Sequence, residues 1–118
     1  MHTEDRAVSA TGYTTAFQPV EPTPDAVHAL QGWTLLEFGT AWCGVCRGTQ
    51  PALQAAMGEH AAPLRHIKIA DGKGYRLGRA FGVKLWPTFV LLHDGVEVAR
   101  SVRPAGAAAI TSLLNRAS

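Results

Sequence analysis

Cys43 and Cys46 are the only two cysteines in this chain of 118 residues, and they stand in the stretch TAWCGVCR. On the first turn of a helix, residues three apart share one face, so their sulfurs could form a disulfide with little backbone movement. The partial positive charge at a helix N-terminus favours the thiolate of the leading cysteine, Cys43. Cys46, one turn deeper, would be shielded and would act as a resolving thiol. The spacing alone leaves three interpretations open: structural thiols, half of a metal site, or a redox couple.

Two histidines bear on the metal interpretation. His60 and His66 follow Cys46 at a spacing that fits the zinc pattern C-x2-C…H-x5-H. A helix over residues 46–60 rises about 1.5 Å per residue and would place His60 roughly 20 Å from Cys46, whereas zinc holds its ligands within about 2.0–2.3 Å. Pro63 also keeps the histidines off one shared helical face. We therefore disfavour a metal site and predict that both histidines face solvent or lie at helix ends.

The elements before the cysteine pair are predicted from local signals. Residues 14–20 are interpreted as a short first strand. Thr23 is predicted to cap a helix that has Pro24 at its first position and ends at Gly32. Residues 33–38, WTLLEF, are apolar on both faces, as in a central strand of a covered sheet. The cysteines are therefore expected at a junction between a strand and a helix.

The second half of the chain continues the alternation of strands and helices. Residues 64–70 are predicted to form a strand, and residues 75–82 a short helix closed by glycine. Asp94 and Gly95 separate two apolar runs and predict a tight hairpin. A final helix contains Leu113. This order of elements, βαβαβα followed by ββα, predicts an α/β fold.

Composition narrows the class of protein. Hydrophobic residues make up 47% of the chain and charged residues 17%, and the net charge is +2. The charges are scattered and no apolar run approaches the 18 or so residues of a membrane span, so neither a nucleic acid nor a membrane is expected as a partner. Residues 1–13 are predicted to be a flexible arm and residues 14–118 a single domain. The N-terminus does not resemble a signal peptide, so we expect a cytoplasmic protein, and in that compartment paired cysteines are more often catalytic or metal-binding than structural.

Several motifs together resemble the thioredoxin family. The stretch LLEFGTAWCGVC is similar to the family's strand leading into W-C-G-x-C, and Pro51 matches its kinking helix proline. FGVKLWPTF resembles the family's segment before its cis-proline, which maps to Pro87, and LLHDGVEV resembles its penultimate pair of strands. The resemblance implies a thioredoxin fold, with a central mixed β-sheet and helices on both faces, and a cis Pro87 beside the cysteine pair.

The resemblance also implies roles for two charged residues. Glu37 lies where the family usually has a buried aspartate, and a desolvated carboxyl group there could take the proton from Cys46 as that thiol attacks. Lys68 matches the family lysine that pairs with this acid.

The substrate surface implied by the resemblance contains Trp42, Trp86, Pro87 and Arg103. Some residues depart from the family pattern: Val45 replaces a proline between the cysteines, Gly39 replaces an aromatic residue, and Arg103 with Pro104 replaces a small turn containing glycine. These departures indicate a reshaped groove and a more specialised partner.

The function implied is a thiol-disulfide oxidoreductase that reduces protein disulfides through the Cys43/Cys46 couple, without a metal or an organic cofactor. Its partners would be protein disulfide substrates and an electron donor such as a thioredoxin reductase. The alternative is a binding or assembly module on the same fold, which holds a partner through Trp42, Trp86 and Arg103 and whose redox chemistry is incidental.

Overall fold

The structure, a computed structural model, describes residues 11–117. Its four strands form one sheet in the order β2-β1-β3-β4, with β1 parallel to β2 and antiparallel to β3, and β3 antiparallel to β4. This mixed sheet with helices confirms the predicted α/β class. The elements in chain order are α1 (Pro24–His28), β1 (Trp33–Gly39), α2 (Gly44–Glu59), β2 (Arg65–Ala70), α3 (Leu77–Ala80), β3 (Thr88–His93), β4 (Val96–Val102) and α4 (Ala107–Leu114).

The two faces of the sheet are covered by different helices. One core joins the sheet to α2 and α4, and the other joins it to α1 and α3. No helix within residues 11–117 is long and apolar enough to cross a membrane. The first core contains Leu35, Leu53, Met57, Phe89, Ile110 and Leu113, and the second contains Val27, Leu36, Phe38, Ile67, Leu77 and Val90.

The first helix begins as predicted and ends early. Thr23 Oγ1 accepts a hydrogen bond from the N–H of Ala26 at 3.1 Å, and Pro24 occupies the first helical position. The helix stops at His28 and does not continue to Gly32, because Gly32 is held elsewhere: its N–H donates to Asp94 Oδ1 at 2.7 Å. The segment after α1 therefore docks on the hairpin turn.

The predicted strand over residues 14–20 does not form. Within the described residues the chain before α1 makes two isolated parallel bridges to β2, Gly12 to Arg65 and Phe17 to Lys68, and only the second lies in the predicted range. Continuous backbone pairing with β2 is interrupted at Thr14, because its N–H donates to the side chain of His66 and not to a backbone carbonyl. Of the predicted arm, residues 1–10 lie outside the described residues, whereas Gly12 at its end contacts β2.

The third helix is shorter than the predicted range of residues 75–82. It covers only Leu77–Ala80, and its N-terminal N–H groups, those of Arg76 and Leu77, donate to the carboxylate of Glu21. The first turn of α3 is therefore completed by Glu21, which lies 55 residues before Arg76. No local sequence pattern predicts this contact.

The hairpin between β3 and β4 confirms the predicted turn. Asp94 and Gly95 have φ of 50° and 79°, the left-handed conformation that a two-residue type I′ turn requires at both positions. His28 Nδ1 donates to the carbonyl of Gly95 at 2.7 Å, which fixes the turn against the end of α1. A Cβ at residue 95 would overlap the backbone carbonyl of His28.

We expect Gly95→Ala to lower the free energy of unfolding by about 2 kcal/mol or more, because it combines a strained φ with this overlap. Gly48→Ala is the matched control: Gly48 lies inside α2 with no atom near its missing Cβ, and alanine there should be neutral or stabilise by about 0.5–1 kcal/mol. Urea denaturation of both variants measures the difference. Equal stabilities would contradict the close approach of the turn to α1.

Candidate active site

The cysteine pair lies where β1 passes into α2, as the sequence predicts. Cys43 is the N-cap of α2, and its Sγ accepts a hydrogen bond from the N–H of Cys46 at 3.2 Å. Both cysteines are free thiols, with 9% of Cys43 and 3% of Cys46 exposed. Because the two exposures differ so little, what distinguishes the sulfurs in geometry is the N–H of Cys46, which points at Cys43 Sγ.

The second thiol is held in its protonated form. Burial raises the pKa of the Cys46 thiol to about 12, and hydrogen bonding to Cys43 adds to the increase, while the backbone of Thr40 opposes it. The negative charge of Glu37 contributes in the same direction as burial. Cys46 therefore needs a base before it can act as a nucleophile at neutral pH.

Gly39 gives the sulfur of Cys46 its space. A Cβ at residue 39 would lie 2.7 Å from Cys46 Sγ, closer than real Cβ contacts allow. The sequence marked Gly39 as a departure from an aromatic residue but did not predict this role. The glycine is therefore a steric requirement of the pair.

The Glu37 carboxylate lies buried on the same face of the sheet as α2, with 1% of the residue exposed. Its Oε1 is 2.8 Å from His66 Nε2, and its Oε2 accepts from Gln50 Nε2 at 2.7 Å. Gln50 Nε2 also donates to the carbonyl of Cys46 at 2.9 Å, so it connects the carboxylate to the second cysteine. Sequence reasoning missed Gln50, although its position four residues after Cys46 places both on one helical face.

The prediction that His66 faces solvent is wrong. His66 is 3% exposed, because it points from β2 towards α2 and beneath the ring of Tyr13, which stacks on it with centroids 5.3 Å apart. His60 lies instead at the C-terminal end of α2, so the structure does not bring the two histidines together with the cysteines. Among residues 11–117 no cluster of three or more histidine, cysteine or acidic side chains could hold a metal ion.

Lys68 joins this network indirectly. Its Nζ donates to Gln50 Oε1 at 3.3 Å and lies 4.8 Å from the centre of the Phe17 ring. The direct pair with Glu37 that the resemblance implied is replaced by the pair between His66 and Glu37. Gln50 therefore lies between the buried lysine and the buried carboxylate.

Tyr13 closes the network from the N-terminal segment. Its hydroxyl donates to Gln50 Oε1 at 2.7 Å. Burial raises the pKa of the Tyr13 phenol, and the negative charge of Glu37 raises it further, so the hydroxyl remains a donor. Tyr13 thus supports the site, although the sequence placed it at the end of a flexible arm over residues 1–13.

A cavity of about 230 Å³ adjoins the pair, and its lining includes Thr40, Cys46, Gln50 and Lys68. It is large enough for several water molecules, since one occupies about 30 Å³ in the liquid. Within the described residues the buried Thr40 Oγ1 has no hydrogen-bond partner, and a water molecule there would supply one. The proton network below the cysteines therefore has space for solvent.

The four residues predicted to contact substrate lie together on one side of the pair. Trp42 is 72% exposed and meets the ring of Trp86 edge-to-face at 5.5 Å. The Trp86–Pro87 peptide bond is cis, as the resemblance implied. Arg103 Nε donates to the carbonyl of Trp86 at 2.8 Å, and the N–H of Arg103 donates to the carbonyl of Pro87. These contacts form a rim of two indoles and a guanidinium beside Cys43.

Asp71 orients this rim and was missed at the level of sequence. Its Oδ2 accepts from Trp86 Nε1 at 2.8 Å, and its N–H donates to the carbonyl of Gly39, at the end of β1. The indole of Trp86 is therefore anchored to the strand that leads into the cysteine pair.

Most of the chain is similar to known proteins. A family model described as thioredoxin matches residues 23–116. The thioredoxin of Chlamydia pneumoniae is 34% identical over 88 residues, which cover 72% of this chain and 82% of that protein. The chloroplastic thioredoxin X of Arabidopsis thaliana is 38% identical over 69 residues, 58% of this chain and 38% of that protein. Among solved structures, thioredoxin 2 from Pseudomonas aeruginosa PAO1 in its reduced form has a TM-score of 0.76 and 45% identity, covering 88% of this chain and 99% of that one.

We expect iodoacetamide at pH 8 to label the folded, reduced protein at Cys43 and to spare Cys46. With a pKa of about 12, Cys46 is a thiolate in roughly one molecule in ten thousand at that pH. Labelling of Cys46 should rise about tenfold per pH unit up to pH 11, as followed by peptide mass analysis. Protein unfolded in urea is the control and should label at both cysteines, whereas equal labelling in the folded protein would contradict the shielding of Cys46.

Proposed function

The chain belongs to the thioredoxin family of thiol-disulfide oxidoreductases, which act on protein disulfides, and on this premise we propose how its own residues divide the reaction. Cys43 is the nucleophile, Cys46 the resolving thiol and Glu37 the acceptor of the Cys46 proton. The observation that carries this assignment is the N–H of Cys46 directed at Cys43 Sγ at the start of α2, while burial raises the pKa of the Cys46 thiol.

Two sulfur exchanges complete the reaction. The Cys43 thiolate attacks one sulfur of the substrate disulfide, forms a mixed disulfide and releases the other substrate sulfur as a thiolate, which takes a proton from solvent. Cys46 then loses its proton and attacks Cys43 Sγ, which forms the Cys43–Cys46 disulfide and releases the second substrate sulfur. The substrate gains two electrons and the protein loses two.

Glu37 is proposed as the base of the second exchange. The thiol of Cys46, with a pKa of about 12, must lose its proton at neutral pH. The carboxylate is buried beneath the pair and connected to Cys46 through Gln50. Lys68 donates to Gln50 Oε1 and so holds the amide that binds the carboxylate.

The rim is proposed as the substrate surface. Trp42 and Trp86 offer aromatic area next to the nucleophile, and the cis bond joins Trp86 to Pro87, the residue directly before β3. Within residues 11–117 the Arg103 side chain donates only through Nε, to the carbonyl of Trp86, which leaves its Nη groups available for an acceptor on the substrate. This arrangement favours extended protein segments that carry a carbonyl or carboxylate beside the disulfide.

The oxidised pair must receive two electrons before the next cycle. We infer that a reductase such as a thioredoxin reductase supplies them in the cytoplasm. A reducing compartment suits this role, because it keeps such a pair in the dithiol form between cycles.

Cys46→Ser should accumulate a covalent complex with a peptide that contains one intramolecular disulfide, because the mixed disulfide on Cys43 cannot be resolved. Non-reducing electrophoresis and intact mass measure the complex, and dithiothreitol should release it. The double variant Cys43→Ser/Cys46→Ser is the control. If it retained as much peptide, Cys43 would not be the nucleophile.

Glu37→Gln should slow the resolving step by about a hundredfold at neutral pH, the range of a lost general base. The step is isolated by loading Cys43 with a chromogenic aromatic thiol as a mixed disulfide and following its release by absorbance. Glu59→Gln removes an exposed carboxylate at the other end of α2 and should leave the rate unchanged. An unaltered pH profile in Glu37→Gln would remove Glu37 from the mechanism.

A further inference from the structure

His66 makes two hydrogen bonds that together define its protonation. Its Nδ1 is 3.1 Å from the backbone N of Thr14, and its Nε2 is 2.8 Å from Glu37 Oε1. A backbone N–H can only donate, so Nδ1 must be the acceptor and carry no proton. The proton of the neutral ring is therefore on Nε2, where it is donated to the carboxylate.

The surroundings of His66 support this state. The ring lies under Tyr13, whose phenol is neutral, and the residue is 3% exposed. An imidazolium would need a second acceptor at Nδ1, and the N–H of Thr14 occupies that position. The histidine thus acts as a donor to Glu37 with one fixed tautomer.

We propose that His66 is a positioning residue for Glu37: its neutral ring, held by the backbone of Thr14, stabilises and aims the carboxylate that takes the Cys46 proton. This inference rests on the proposed function, because it assumes that Glu37 is the proton acceptor. The proton of the Cys46 thiol moves to a carboxylate oxygen, and the proton on His66 Nε2 stays in place. Each carboxylate oxygen retains a lone pair beyond the bond from His66 or Gln50, so a proton can still be accepted.

The other groups around Glu37 do not substitute for His66. Tyr13 directs its hydroxyl at Gln50, and Lys68 reaches the carboxylate only through Gln50. The cysteines lie above, on α2. From the sheet, the neighbour of Glu37 on β3 is Phe89, and α4 contributes only apolar side chains to this core. Among residues 11–117, His66 is therefore the one ring or charged group that hydrogen-bonds directly to the carboxylate.

The test compares two substitutions at His66 in the full chain. His66→Leu removes the donor, so the carboxylate becomes a stronger base and is protonated up to a higher pH. The rising limb of the pH profile of Cys46 attack should then move up by about one unit or more, a tenfold or larger loss of rate on its acidic side. His66→Gln can still place an amide N–H near Nε2 and should remain close to the wild-type profile. The assay is release of the chromogenic thiol from Cys43.

Two further variants, Glu37→Gln and the double variant, distinguish an error in the proposed base from an error in the proposed role of His66. If Glu37→Gln leaves the rate unchanged, the proposed base is wrong, whatever His66 does. If Glu37→Gln is slow but His66→Leu superimposes on wild type, only the role of His66 is overturned. In the double variant Glu37→Gln/His66→Leu the leucine should add no further loss, and an added loss would show that His66 acts independently of Glu37.

A spectroscopic measurement keeps the proposal testable should His66→Leu fail to fold. In the wild-type protein, ¹⁵N NMR of the imidazole at neutral pH should show a protonated Nε2 and an unprotonated Nδ1. A ring protonated on Nδ1, or on both nitrogens, would overturn the proposal directly.

Discussion

The buried carboxylate of Glu37 is the constraint on which the site depends. A charge removed from water is strongly unfavourable unless donors surround it, and both oxygens of this carboxylate are hydrogen-bonded. His66 and Gln50 each donate to one carboxylate oxygen, and Gln50 in turn receives hydrogen bonds from Tyr13 and Lys68. The N-terminal segment, β1, β2 and α2 are thereby joined at one point below the cysteine pair.

This arrangement explains the division of labour between two cysteines of similar exposure. The N-terminus of α2 directs an N–H at Cys43, whereas Cys46 lies above a negative charge and in a desolvated position. The N-terminus of α2 therefore gives one sulfur a hydrogen-bond donor, whereas burial and the charge of Glu37 oppose ionisation of the other. Gly39 completes the site, because any side chain there would occupy the space of the Cys46 sulfur.

The rim has a separate anchor. Trp86 is tied to Asp71 at the end of β2, and Arg103 is tied to the carbonyl of Trp86. The aromatic surface beside Cys43 is thus positioned by the sheet and not by the proton network. Within residues 11–117 no hydrogen bond of Trp86 or Arg103 reaches Glu37, Gln50 or His66, so substitutions at the rim should affect partner binding separately from proton transfer.

The sequence by itself determined the features that depend on neighbouring residues. The cysteine pair at a strand-to-helix junction, the cap at Thr23 and the turn at Asp94 and Gly95 follow from local spacing and backbone preference, and the motif matches indicated the family. Tertiary structure decided what depends on distant contacts. His66 was predicted to face solvent, but it lies on the face of Glu37 and binds the carboxylate, and the N–H of Thr14, 52 residues away, holds its ring. The hydrogen bond from Thr14 to His66 also explains why the predicted first strand does not form. A backbone N–H that donates to a side chain cannot pair with a neighbouring strand.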